Sequence, residues 1–528
     1  MREEKTTVFL RRLNRSFCLL LLFVSLRGLA NPEKSTDLPP AVTATARAPY
    51  VPVLKRLSAN PVLRVQVSVP AGNATQEYSG LQCTLNSIAD VEKVDVYLTG
   101  AEPFSDKNLL ASVQPSSTRF SMPVSLTIEP GVKFIWLSVV LKATASINKK
   151  IELHCTGLTG AKGKILPIKE EPSKFSHYTG FAVRKAWDDS VHSYRIPGLV
   201  QTDKGTLLSV YDIRYKNSGD LPANIDVGLS RSTDSGRTWQ PMKVIMDMGA
   251  PHENNGIGDP AILFDPATKK IWVAALWSKG NRSIAGSLPG LSPDTTGQFV
   301  VVSSDDDGLT WSAPVSITPQ VKNPAWHLFF DGPGSGIAMK DGKLVFAAQY
   351  WDEKKVPHST IIYSDDHGKT WKGKLAGPKS NTTEAQVVET TPGTVMLNMR
   401  DNRGSFRSIA TTNNMGETWT EHQTSYNALP DPVCQGSIIK ARVKVKGVMK
   451  DVLFFSNVAT PSGRYNMTIK ASLDMGQTWL PANAVLVDER PCFGYSSLTK
   501  IDDNTIGILY EGTRGLYFVK VPVSEIIN

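Results

Sequence analysis

No cysteines and histidines in the sequence share zinc-ligand spacing and no EF-hand loop is present, so no catalytic metal is expected. Chemistry then falls to carboxylates, arginines and tyrosines. In Thr383-Glu-Ala-Gln-Val-Val-Glu389 two glutamates stand five residues apart. An odd separation puts Glu384 and Glu389 on opposite sides of a regular strand, so one site can use only one of them. Tyr211-Asp-Ile-Arg-Tyr-Lys-Asn-Ser-Gly-Asp220 runs from an apolar stretch into a small, polar loop that ends in a carboxyl, with Asp212 and Asp226 as competing acids nearby. Arginines stand in Ser193-Tyr-Arg-Ile-Pro197, Leu397-Asn-Met-Arg400 and Pro461-Ser-Gly-Arg464. A guanidinium offers a carboxylate a planar, bidentate fork, although taken singly each is more commonly one half of a surface ion pair. Phe493-Gly-Tyr495-Ser-Ser holds a tyrosine, whose pKa of about 10 demands a neighbouring base before it can act as a nucleophile.

Such scattered groups need a frame to bring them together, and one eight-residue pattern supplies it. It runs Ser232-Thr-Asp-Ser-Gly-Arg-Thr-Trp239 and recurs at 304–311, 364–371, 412–419 and 472–479, with Asn414 replacing the aspartate in the fourth copy. The Asp or Asn side chain accepts backbone N–H groups in an Asx-type turn, Gly takes positive φ, and Trp is expected to pin the loop to its own sheet. Successive tryptophans lie 72, 60, 48 and 60 residues apart, which suits one antiparallel sheet per repeat and hence propeller blades. The 351 residues from Tyr178 onward divide among six blades at about 58 each. Five copies serve six blades if the closing blade borrows strands from both ends.

Composition is that of a globular protein with a lean towards β structure. Of the net +9, the first thirty residues contribute six basic and two acidic groups, so the remainder carries +5 without a long basic run, which argues against nucleic acid as a partner. Residues 1–30 read as a signal peptide, with Phe17–Leu26 as the apolar run and Gly28-Leu-Ala30 as the cleavage pattern. That run is too short for a bilayer, and no second one follows, so no integral membrane span is expected. Residues 31–60, rich in Pro, Ala and Thr, read as a linker. Residues 61–175 carry short alternating runs such as Leu63–Val69 and read as a β-sandwich, and residues 176–528 as the propeller. Cys83 and Cys155 fall in the sandwich and could pair.

The repeated turn resembles the Asp box of sialidases, and Ser193–Pro197 matches their Arg-Ile-Pro motif. Arg400, Arg464 and Tyr495 follow in the family's order, and the likeness covers about two-thirds of the chain. Residues 61–175 resemble, more loosely, the carbohydrate-binding-type module that precedes some bacterial sialidase propellers. The resemblance implies an all-β chain, a six-bladed β-propeller behind a jelly-roll-like β-sandwich. It further implies that Arg195, Arg400 and Arg464 converge on the carboxylate of a sialic acid. An anionic nucleophile would be repelled by that carboxylate, so a neutral Tyr495 is expected to attack, as sialidases do. Glu384, 16 residues before Arg400, matches the family's base, with Glu389 competing. Asp220 matches the loop acid/base, and Arg214 with Asp259 the pair that meets the O4 side of the sugar. Trp277, Trp326 and Phe493 line the acyl and glycerol pockets or simply pack the core.

The expected activity is that of a secreted exo-α-sialidase working by a retaining mechanism without a cofactor. Its substrates would be sialylated glycoproteins, glycolipids or oligosaccharides met in the periplasm, at the cell surface or outside the cell. A trans-sialidase, an intramolecular trans-sialidase and a catalytically silent sialoglycan-binding propeller are the alternatives.

Overall fold

The computed structural model describes residues 40–100, 103–171, 175–280 and 286–527; the signal peptide expected at 1–30 lies outside them. Alternation of apolar and polar residues builds the N-terminal region. In Arg119–Ile128 every second side chain from Met122 to Ile128 is buried. Nine strands follow the order Leu109–Val113, Val91–Leu98, Gly131–Leu141, Pro61–Val69, Thr43–Arg47, Ile165–Glu170, Leu153–Gly160, Gln76–Leu85 and Arg119–Ile128. Both halves of this path bury side chains in one core, Val65, Val67 and Leu137 from one half and Leu81, Cys155 and Leu158 from the other.

Two expectations change here. The halves form one continuous path, joined by parallel pairing of Thr43–Arg47 with Ile165–Glu170. Much of the expected linker is therefore ordered. Ala44 and Ala46 are small enough to bury between neighbouring strands, and Val53–Lys55 pairs in parallel with His177–Arg184 at the outer edge of the last blade. Cys83 and Cys155 face each other across adjacent strands as buried free thiols. A hydrogen bond between the two thiols, together with burial, holds Cys155 well above its ordinary pKa.

Six sheets follow, each with its first strand innermost: Ser193–Gln201, Ile257–Phe264, Leu328–Asp331, Thr382–Glu389, Ser437–Val445 and Ser496–Asp502. The third sheet is irregular, because Gly334–Ser335 leaves it to pair with Ile257–Phe264 of the second. The last sheet takes three strands from the C-terminal end and His177–Arg184 from before the propeller, so the ring closes with segments from both ends of the domain. Its third strand, Leu516–Pro522, carries no turn repeat, which accounts for five copies in six blades.

Each repeat closes its own turn. In the second, Gly308 N–H donates to Ser304 Oγ (2.9 Å), while Thr310 N–H and Oγ donate to the two oxygens of Asp306 (2.8 and 2.5 Å). The Thr310 hydroxyl, first among these contacts, pulls the Asp306 carboxyl down to about 2. Asn414 reproduces the arrangement by accepting Thr418 N–H through its oxygen and donating to Thr418 Oγ1 through its amide. Each turn places two residues in succession at positive φ, Ser235 and Gly236 in the first. The glycine also answers a steric demand. A Cβ at Gly236 would lie 2.1 Å from Phe518, and one at Gly368 would lie 2.3 Å from Trp272. In all five copies that nearest neighbour outside the turn belongs to the preceding blade, and Trp239 likewise packs edge-on against Phe518. The repeats thus lock each blade to the one before it, rather than only to their own sheet as expected.

Candidate active site

Antiparallel blades bring the starts of first strands and the ends of second strands to one face, and the charged residues collect there. In the first blade the ladder between Ser193–Gln201 and Leu207–Arg214 shifts register between Arg195 and Gly198, and Ile196 takes φ 58°. A β-branched residue at positive φ is strained by about 1–3 kcal/mol, and the irregularity turns Arg195 towards the axis. Gly198 permits this, since a Cβ there would meet the carbonyl oxygen of Gly334 at 2.5 Å. Arg195 Nε donates to Glu511 Oε1 (3.1 Å), and that oxygen also accepts the Ile196 N–H (2.9 Å). The other oxygen of Glu511 accepts the Tyr495 N–H (2.9 Å). One fully buried carboxylate therefore holds the first arginine and the tyrosine in a fixed relation.

Tyr495 is almost wholly buried. Its hydroxyl donates to Glu384 Oε1, while Arg400 Nη1 donates both to Glu384 Oε2 (2.7 Å) and to the tyrosine oxygen (3.2 Å). Burial, and then the Glu384 carboxylate, push the phenol well above its ordinary pKa, so it stays neutral. The Arg195 and Arg464 guanidinium carbons lie 5.4 and 5.9 Å from its ring centre. Arg464 donates to two carbonyl oxygens, of Phe493 (2.8 Å) and Val433 (3.2 Å), and so keeps its charge uncompensated by those contacts. Arg400 Nε is buried without a hydrogen-bond partner among the described residues. Burial works against charge on Arg195 and Arg400, but Glu511 and Glu384 outweigh it and keep both cationic. Three guanidiniums thus flank one tyrosine side chain, Arg400 at its hydroxyl and Arg195 and Arg464 beside its ring, with donors left over for an anion.

Asp220 occupies the rim and its side chain is 66% exposed. Its Oδ1 accepts Arg214 Nη1 at 2.6 Å and lies 3.5 Å from Arg195 Nη1. Burial raises its carboxyl, yet Arg214 and then Arg195 outweigh that and leave it below its ordinary value. Arg214 is itself clamped by Asp212, which accepts its Nε (3.0 Å) and Nη2 (2.8 Å) and takes the Asp259 N–H on the other oxygen (2.8 Å). Asp259 sits at φ 57°, and burial followed by the Asp212 charge pushes its carboxyl well above the usual range.

The competing residues separate cleanly. Glu389 accepts the backbone N–H groups of Lys340 and Gly393 at the far end of its strand, away from the tyrosine. Asp212 is spent on Arg214, and Asp226 accepts the Tyr215 hydroxyl (2.8 Å), its carboxyl raised to about 6 by burial. Of the aromatic candidates only Phe493 belongs to the site, its ring 4.6 Å from the Arg195 guanidinium. Trp326 stacks on Tyr350 in the core, and Trp277 donates to Asn255. The Gly/Ser/Pro-rich stretch Ser278–Pro293 is described only in part; within it Gly290 donates its N–H to Pro324 O and accepts Lys322 Nζ on its carbonyl. Glu511 was not anticipated. Its signal was present, since a carboxylate ending the apolar strand Thr505–Glu511 must find a cationic partner to be buried. Asp331, buried near Asp259 without a partner for either oxygen among the described residues, was also missed, and burial holds its carboxyl well above the usual range.

Residues 184–508 match a family model described as a BNR repeat-like domain, and residues 41–164 one described as the N-terminal domain of BNR-repeat neuraminidase. The chain belongs to the BNR-repeat neuraminidase family. It is 47% identical over 408 residues to a sialidase of Bacteroides fragilis, covering 76% of this chain and 75% of the relative. It is 34% identical to a sialidase of Micromonospora viridifaciens, covering 62% of this chain and 51% of that one. Among solved structures, Hadza microbial sialidase Hz136 superposes with a TM-score of 0.85 at 37% identity, over 92% of this chain and all of that one. The intramolecular trans-sialidase of Ruminococcus gnavus, at 19% identity and a TM-score of 0.57, shares the fold over 64% of this chain and 96% of its own. Within this family the observed arrangement is six blades with a β-rich N-terminal domain, and the activity is that of an exo-α-sialidase.

Proposed function

We propose that the chain hydrolyses terminal α-linked sialic acids with retention of configuration, through an aryl glycoside formed between the Tyr495 oxygen and the anomeric carbon. The observation that carries this reading is Tyr495, whose neutral hydroxyl is bonded to Glu384 and Arg400 and whose ring lies beside the Arg195 and Arg464 guanidiniums. The arginines take the substrate carboxylate, which sits on the reacting carbon. Tyr495 oxygen attacks that carbon as its proton passes to Glu384. The bond to the leaving oxygen breaks, and that oxygen takes a proton from Asp220. In the second step Asp220 removes a proton from water, the water oxygen bonds to the anomeric carbon, and the tyrosine oxygen departs and recovers its proton from Glu384. One water is consumed and two inversions leave retention. Arg214, fixed by Asp212, and Asp259 meet the O4 side of the sugar.

The family relation supports this assignment of roles, and the signal-like residues 1–30 support export of the mature chain. The same hydroxyl–carboxylate pair favours the enzyme over a silent lectin, because recognition of an anion alone requires no base on a tyrosine. Proton NMR of a sialoside digest tests the reading: the α-anomer of free sialic acid is expected first, followed by mutarotation. The β-anomer first would exclude the two-step route. Product lacking a free anomeric hydroxyl would point to the intramolecular reaction.

A further inference from the structure

Residues 185–192 form the turn that leads from the last blade into the first. The turn joins the end of His177–Arg184 to the start of Ser193–Gln201, so it stands on the face where the charged residues collect. Trp187 lies in it and is 61% exposed, the most exposed large apolar side chain among the described residues. A single apolar side chain in water is ordinary by itself. This one is held there by its backbone. Trp187 takes φ 71°, a left-handed value that is an outlier for a bulky residue, and Asp189 and Ser190 follow at 52° and 61°. Such strain persists only where the surroundings enforce it. Here Trp187 N–H donates to Val191 O (2.7 Å). Asp188 accepts Arg56 Nη2 (2.7 Å) and the Lys185 N–H (3.0 Å) on one carboxylate oxygen, and the Tyr194 hydroxyl (2.7 Å) on its carbonyl. A firmly tied turn therefore presents the indole to solvent.

The same turn is bonded to the loop that carries Asp220. His192 meets the Trp187 ring edge-on at 5.3 Å, and its N–H donates to Tyr215 O (3.2 Å). The next residue, Ser193, donates its hydroxyl to Asn217 O (3.4 Å). Asn217 stands three residues before Asp220, so their Cα atoms are no farther apart than about 11 Å. In the proposed mechanism Asp220 protonates the leaving oxygen, so the departing glycan begins beside this loop. A flat ring fixed on the flank of the loop suits the sugars that follow, because the C–H groups on one face of a pyranose match the electron-rich face of an indole. The charges of the turn are spent on one another, Arg56 on Asp188 (2.7 Å) and Arg184 on Asp189 (3.3 Å), which favours a neutral sugar over an acidic one.

We infer that Trp187 is a stacking platform for a neutral sugar on the leaving-group side of the substrate. The inference rests on the proposed sialidase reading and adds to it a preference for extended glycans. The test compares kcat/KM for an α-sialoside of a neutral disaccharide and for methyl α-sialoside, whose leaving group is methanol and offers nothing to stack. Both substrates need the same acid. Trp187→Ala is expected to lose about tenfold on the disaccharide substrate and to keep its rate on the methyl sialoside. Trp187→Phe retains a flat ring and should recover most of the loss. Unchanged values on both substrates, equal losses on both, or Trp187→Phe as slow as Trp187→Ala would overturn the inference. If the unaltered protein hydrolyses neither substrate, the catalytic reading fails instead. Calorimetric titration of the disaccharide sialoside into the unaltered protein and into Trp187→Ala then decides the platform, with weaker binding by the variant supporting it and equal affinities counting against it.

Discussion

The turn repeats and the catalytic cluster use the same chemistry, hydroxyls and carboxylates bonded to their neighbours, in opposite ways. In a repeat the side-chain bonds that shape the turn span two or four residues: Ser364 to Asp366, Gly368 to Ser364, Thr370 to Asp366. In the cluster the decisive bonds span 316 residues between Arg195 and Glu511, 111 between Tyr495 and Glu384, and 95 between Arg400 and Tyr495. Both leave donors buried without a partner among the described residues, the indole N–H groups of Trp239, Trp371 and Trp479 in the repeats and Arg400 Nε in the cluster, but only the cluster's donor is part of a cation, and there Ile196 and Asp259 also sit at positive φ. Unsatisfied donors and strain persist only where a rigid surround enforces them. The repeats, each pressed against the preceding blade, are that surround.

The largest change is expected from removing the rim carboxyl. Asp220→Ala should slow sialosides with poor leaving groups by about 10²–10⁴-fold and aryl sialosides far less, since a phenolate departs without a proton. Because Arg214 holds the Asp220 carboxyl below its ordinary value, the acid form is already scarce in the free protein at neutral pH. The ratio of kcat/KM on an alkyl to that on an aryl sialoside should therefore fall about tenfold per pH unit through the neutral range. A ratio independent of pH, or equal losses in Asp220→Ala, would reduce Asp220 to a positioning residue.

Next comes Arg400→Lys, which keeps the charge but gives up the planar guanidinium whose Nη1 reaches both Glu384 and the tyrosine oxygen and whose other donors can fork onto an anion. A loss of about 2–5 kcal/mol in transition-state stabilisation is expected in a folded protein. Full kcat/KM would remove Arg400 from the anion site. The smallest effect belongs to the frame. Asp366→Ala deletes a turn's acceptor and should cost about 1 kcal/mol of stability, comparable to a lost helix cap, with kcat/KM unchanged. If it cut activity as deeply as Arg400→Lys does, the division between frame and site would be false.

That division also explains what the sequence could reveal. The repeats were legible because each is complete within eight residues, and their spacing announced six blades. The tyrosine, the three arginines and Glu384 could be assigned roles only through resemblance to a family, as no local pattern says that residues 111 apart will touch. Glu511 escaped for the same reason, its partners lying at Arg195, Ile196 and Tyr495. Thr43–Arg47 reads as linker because it lies in a stretch rich in Pro, Ala and Thr. What makes it a strand is the pair of partners on either side, Pro61–Val69 and Ile165–Glu170. Strand parity lets one site use only one of Glu384 and Glu389, and it takes the folded chain to show Glu384 against Tyr495 and Glu389 on the backbone of Lys340 and Gly393.

The central claim, that Tyr495 is the nucleophile, is tested most directly by trapping it. A 3-fluoro sialosyl fluoride reacts rapidly in the first step and slowly in the second, because the added fluorine disfavours the positive charge that develops on the ring. Intact mass is expected to rise by one sugar, peptide mapping to place that sugar on Tyr495, and Tyr495→Phe to fold, bind sialic acid and gain no mass. A sugar found on any other residue, or an adduct that survives in Tyr495→Phe, would contradict the account.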